Sequence, residues 1–115
     1  MTWILTHSGK KVDFLSTDPD SIVLEDIAHA LSNLCRYTGQ LPWGFYSVAE
    51  HCVHVSNLLE NRGYRLEIQL AGLGHDFAEA YINDLANPLK ELLPQYKAIE
   101  YKFEKIIIVK FGLTN

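Results

Sequence analysis

The sequence predicts an all-α helical bundle with a small N-terminal β-hairpin, and three observations carry that expectation. Apolar residues recur at helical spacing through most of the chain, prolines and glycines fall at the edges of those periodic stretches, and two short β-favouring runs sit together in the N-terminal segment. The runs Thr2 to Leu5 and Lys11 to Leu15 flank His7-Ser8-Gly9-Lys10, where the glycine supplies a turn. Asp18-Pro19-Asp20-Ser21 then carries helix-start chemistry. Val23, Ile27, Leu31 and Leu34, with Ala30 filling in, share one face of a first helix expected over 24–36.

Residues 37–46 contain Gly39, Pro42, Gly44 and several aromatics, which reads as an ordered loop, and Ser47 is suited to cap a second helix. That helix is expected to run to about Arg62 and stop at Gly63, with Val48, Cys52, Val55 and Leu59 on one face and His51 at its border. A third helix, continuous from near Arg65 to Tyr81, carries Ile68, Ala71 and Leu73. Pro88 allows a short helix through Leu93, and Pro94 introduces a long final helix to about Phe111, ended by Gly112.

At 115 residues the chain is read as one domain, 1–115, without repeats or a linker-like tract. Its 48% hydrophobic and 21% charged residues are ordinary for a globular protein. No apolar run approaches the ~20 residues that cross a bilayer, since Ile106-Ile107-Ile108-Val109 is short and flanked by lysines. The N-terminus has no basic segment followed by an apolar stretch and cleavage site, so a cytoplasmic protein without membrane attachment is expected. A net charge of -4 and a pI near 5.6 argue against nucleic-acid binding and favour small-molecule chemistry. Cys35 and Cys52 do not form a metal-spaced pair and are read as core or half-buried thiols, kept reduced in a cytosolic setting.

The chemistry concentrates at His75-Asp76, in an apolar stretch, with His51 on the preceding helix. A buried Asp beside a buried His is costly unless its charge is satisfied, and a divalent metal or an ion pair does this. On a continuous helix His75 and Glu79 are four apart and Asp76 and Glu79 three apart, so all three share one side. Glu79 then lies roughly 5 to 6 Å beyond the ligands, placed to hold or deprotonate water; a solvated helix glutamate is the plainer reading. Asp84 falls about 13 Å along the same helix from His75 and half a turn around, which excludes it as a ligand in that geometry. Arg36, at the end of the first helix, offers a guanidinium fork suited to phosphate, although helix-terminal arginines also occur for dipole reasons. Lys90, His29 and His54 read as solvated, structural or surface residues.

The run Tyr46-Ser47-Val48-Ala49-Glu50-His51, then His75-Asp76-Phe77-Ala78-Glu79, Asn83-Asp84 and Asn87-Pro88-Leu89-Lys90, resembles the HD-domain metal-dependent phosphohydrolases. Within that superfamily it is similar to the bacterial 5'-deoxynucleotidases, with their S-x-x-E-H and H-D-x-x-E-x-x-x-x-D elements. The resemblance runs from about Arg36 to Lys90. It implies an HD-domain fold and a divalent metal ion (Mn, Co, Mg, Fe, Ni or Zn) held by His51, His75 and Asp76. It also implies hydrolysis of a phosphomonoester such as a nucleoside 5'-monophosphate, Arg36 at the substrate phosphate, an aromatic Tyr37 near the sugar, and Asp84 near the nucleotide. A loop-capping role is the other reading of Asp84. HD enzymes add an Asp from a later helix, and this sequence reaches Asn115 before the segment expected to carry it. The expectation is a weakened or shared site and an uncovered Ile106 to Val109 run that favours a homo-oligomer. A non-catalytic metal- or nucleotide-binding relic is the rival reading.

Overall fold

The computed structural model describes residues 1–114. It is mostly helical, with a small two-stranded antiparallel sheet at the N-terminus. Strand β1 (Trp3–Leu5) pairs with β2 (Lys11–Asp13), placing Ile4 opposite Val12. Gly9, at φ 88, closes the connection, and Val12 is the strand residue driven fully into the core.

The helix-start chemistry at Asp18 makes a local structure of its own. Its side chain accepts from the Asp20 N–H and caps a single 3-10 turn, Pro19–Ser21. Helix α1 (Leu24–Asn33) begins afterwards with no side-chain cap and ends three residues short of the expected boundary. The reason is tertiary: Val48 N–H donates to Leu34 O, Cys35 bridges to Ser47, and Arg36 N–H donates to Tyr46 O. Extended pairing thus takes backbone groups that a longer helix would need.

Helix α2 (Val48–Asn61) opens on a capping box in which Ser47 and Glu50 satisfy each other's backbone N–H groups. Val48 and Cys52 are buried along its predicted face, and Cys35 is half-buried. Helix α3 (Leu66–Gly74) packs against α2 at Gly72 and against the segment after the last helix at Gly74. A Cβ on Gly72 would lie 2.4 Å from Leu59 Cδ1, and one on Gly74 would lie 2.6 Å from Leu113 Cδ1.

The continuous third helix is corrected by the structure. After Gly74 the hydrogen bonds tighten to three-residue spacing, with Phe77 N–H to Gly74 O and Glu79 N–H to Asp76 O, before α4 (Glu79–Ile82). Asn83, at φ 74, ends α4. The short α5 (Asn87–Lys90) and the long α6 (Pro94–Phe111) follow, and Gly112 in the left-handed region closes α6 as expected.

The core gathers Ile22, Ile27, Leu31, Val48, Phe103 and Ile107, with Tyr81 stacked on Phe103 at 5.6 Å. The Ile106–Val109 run is therefore not an uncovered strip: Ile107 is buried, its two neighbours are half-buried, and Val109 alone stays in water at 81% exposure. No helix among the described residues is long and apolar enough to cross a membrane.

Candidate metal centre

His51 stands one residue past the capping box of α2, so Ser47 and Glu50 set the helix start that aims it. Glu50 is consumed by that cap and stays outside the cleft. His75 follows the last residue of α3, and its Nδ1 bonds the carbonyl of Gly72. A carbonyl accepts only from N–H, so Nδ1 carries the proton and Nε2 faces the site.

Asp76 Oδ2 lies 3.0 Å from His75 Nε2 and 3.3 Å from His51 Nε2. One donor atom from each of the three residues falls within 4.8 Å of the others, a spacing that suits a shared cation. The two rings meet edge to face at 5.2 Å. No fourth His, Cys, Asp or Glu joins the cluster among the described residues.

The electrostatics follow from Asp76. Burial alone would raise its pKa, but the hydrogen bond from His75 and the surrounding polar groups hold it below the ordinary carboxylate value. The same bond raises His75, while burial, then Arg36, lowers His51. A proton on His75 thus does for Asp76 what a cation between the three side chains would do, and the two compete.

Glu79 shares this environment and is 8% exposed. Its Oε1 is buried without a hydrogen-bond partner. Burial, then the Asp76 and Asp84 carboxylates, push its pKa up to about 10.

The continuous helix on which Asp84 was expected to lie beyond His75 does not form. Asn83 turns the chain back, and Asp84 lines one cleft of about 400 Å³ together with Arg36, Tyr37, His51, His75, Asp76 and Glu79. Asp84 stays outside the His51, His75 and Asp76 donor cluster, as expected, yet shares its cleft because no unbroken helix runs through residue 83.

Arg36 sits in a 3-10 turn, Arg36–Gly39, rather than at the end of α1. Its guanidinium lies 4.5 Å from the Tyr37 ring centre and donates to the Tyr37 hydroxyl at 3.2 Å. No carboxylate pairs with it among the described ion pairs. Tyr37 and Thr38 both hold left-handed backbone, at φ 57 and φ 55, which is strained for side chains other than glycine.

Lys90 departs from the solvated reading. It lines the cleft and pairs with Glu100 at 2.9 Å, both largely covered. Tyr96, Glu100 and Glu104 recur every four residues on α6 and form a polar stripe. That spacing was legible in the sequence and passed over. His29 stacks on His7 at 3.7 Å, His54 pairs with the Tyr46 hydroxyl at 2.8 Å, and neither lines the cleft.

No family model matches the chain. It is 44% identical over 113 residues to the uncharacterized protein YfdR of Escherichia coli, covering 98% of this chain and 60% of that protein. It is also 34% identical over 115 residues to the uncharacterized protein RCAP_rcc00048 of Rhodobacter capsulatus, covering 96% of this chain and 59% of that protein. The chain thus spans about 60% of the length of the curated relatives it matches.

Proposed function

We propose that this chain is an HD-type metal-dependent phosphohydrolase acting on a phosphomonoester, a nucleoside 5'-monophosphate. The observation that carries the reading is the meeting, in one cleft, of the His51, His75 and Asp76 donor atoms with the unpartnered Glu79 oxygen and the Arg36 guanidinium. Two imidazole nitrogens and a carboxylate suit a divalent ion, and among the described residues Asp76 has only histidines as ionic partners. The spacing S-x-x-E-H and H-D-x-x-E-x-x-x-x-D supports the family assignment. A cation held by His51, His75 and Asp76 would supply Lewis acidity toward a phosphoryl oxygen and make water more acidic.

The chain's own groups have separate tasks. Arg36 binds phosphate with its planar fork. The Tyr37 ring beneath it restricts the guanidinium and offers a face for a sugar or base. Glu79 orients the attacking water and accepts its proton, and a cation nearby lowers its pKa toward the range in which it does so. Asp84, lining the same cleft beside Glu79, supports the substrate. A cation bound there would take further ligands from water, a buffer anion, or an acidic group of a neighbouring copy in a homo-oligomer.

The deciding experiment is a hydrolysis screen of nucleoside 5'-monophosphates with Mn, Co or Mg added, alongside elemental analysis of the purified protein. Turnover that needs a metal and vanishes in His75→Ala supports the reading. Stoichiometric metal with no turnover of any ester leaves the non-catalytic relic; absence of both sinks the metal centre.

A further inference from the structure

Asp84 reaches the cleft through a backbone that does not hold itself there. Asn83 combines φ 74 with ψ 167, a region that side chains other than glycine seldom adopt. From inside, the turn is braced by Asn83 N–H on Glu79 O at 2.9 Å and by Asp84 N–H on the Asn83 side-chain oxygen at 2.8 Å. Its outer carbonyls are met from a different element. The Tyr96 hydroxyl, near the start of α6, lies 2.9 Å from Ile82 O and 2.9 Å from Asn83 O, so one proton is shared between them.

Tyr96 is itself held in place. Its ring sits 5.9 Å from the Lys90 ammonium, and Lys90 is ion-paired with Glu100, one helical turn beyond Tyr96. Tyr96 does not line the cleft. It meets the site at two places, with its hydroxyl through the turn that carries Asp84 and with its ring through Lys90, which lines the cleft.

We propose that Tyr96 is a positioning residue: its hydroxyl latches the Ile82–Asp84 turn to α6 and thereby sets where the Asp84 carboxylate stands in the cleft. Strained backbone persists only when its surroundings over-determine it. The half-buried Ile82 carbonyl also needs a donor. The latch supplies both conditions with one group, and the consequence for turnover, though not the latch itself, rests on the phosphohydrolase reading.

Tyr96→Phe removes the hydroxyl while leaving the ring over Lys90, so it is compared with Asp84→Asn and the double variant in the full chain. In metal-free protein, amide hydrogen exchange across 82–85 is expected to accelerate roughly tenfold in Tyr96→Phe, with α2 unchanged. Unaltered exchange there overturns the latch. With Mn²⁺ and adenosine 5'-monophosphate, kcat is expected to fall about tenfold while Mn²⁺ affinity stays within about twofold, and the change adds less than about twofold in the Asp84→Asn background. A full loss on top of Asp84→Asn shows that Tyr96 acts by some other route and overturns the proposal. A wild-type chain without turnover sinks the phosphohydrolase reading, and the exchange result then decides the latch alone.

Discussion

Two side-chain carboxylates are buried among the described residues, and they are opposites. Asp26, 3% exposed on α1, accepts from the Thr6 hydroxyl and from both the backbone N–H and the hydroxyl of Ser8, and so ties the β1–β2 connection to the helix. Burial would raise its pKa, but those hydrogen bonds outweigh it and leave the group more acidic than usual. Glu79 is 8% exposed, with one oxygen unpartnered and a pKa pushed up to about 10 by burial and by its neighbouring carboxylates. Burial is common to both. What differs is satisfaction: the first carboxylate is finished by its own chain and reads as structural, whereas the second keeps an oxygen that its own chain leaves unpartnered.

The sharpest test of that contrast is loss of the ligand set. His75→Ala is expected to weaken Mn²⁺ binding by roughly a hundredfold or more and abolish hydrolysis, because the site itself is removed. Glu79→Ala should keep the metal and lose roughly 10² to 10⁴-fold in hydrolysis, the usual contribution of a general base. Equal metal loss in the two variants, read by titration calorimetry, would show that the roles are misassigned.

Stability separates the two carboxylates with opposite signs. Glu79 has a folded pKa above its ordinary 4.5, so its contribution is complete below that value and erodes as pH rises toward about 10. Glu79→Gln is therefore expected to stabilise metal-free protein at pH 7 by something on the order of 2 kcal/mol, with less gain at pH 5. Asp26 has a lowered folded pKa, so its contribution is present above the unfolded 3.8 and is lost as pH falls through the folded value. Asp26→Asn should cost about 2 kcal/mol at neutral pH, the scale of hydrogen bonds to a charged group, and the gap should narrow in acid. Urea unfolding at several pH values measures both. Two changes of the same sign would erase the distinction. The smallest expected effect is at the strained rim: Thr38→Gly relieves φ 55 and should raise stability by about 0.5 kcal/mol after the entropy of glycine is subtracted. A loss of stability in thermal melts would mean that the Thr38 side chain makes a contact worth more than the strain.

Much of this was legible in the chain before any coordinates. The hairpin follows from two β-favouring runs around Gly9, the Ser47 cap and the ends at Gly63 and Gly112 follow from local backbone chemistry, and the convergence of His51 with His75-Asp76 follows from motif spacing. Local rules succeed there because each feature depends on a few adjacent residues. The unbroken helix through Asp84 was misread because helical periodicity is blind to a single residue such as Asn83 taking positive φ, which a capping hydrogen bond to Glu79 and a hydroxyl from α6 hold in place. Lys90 was misread because its partner, Glu100, lies on another helix. The contrast between Asp26 and Glu79 was equally invisible, since nothing in either one's sequence neighbours tells whether distant donors will arrive. The sequence by itself determined the elements, their caps and the donor types. The tertiary structure decided which polar groups are satisfied, because desolvation and hydrogen bonding are set by contacts between segments far apart in the chain.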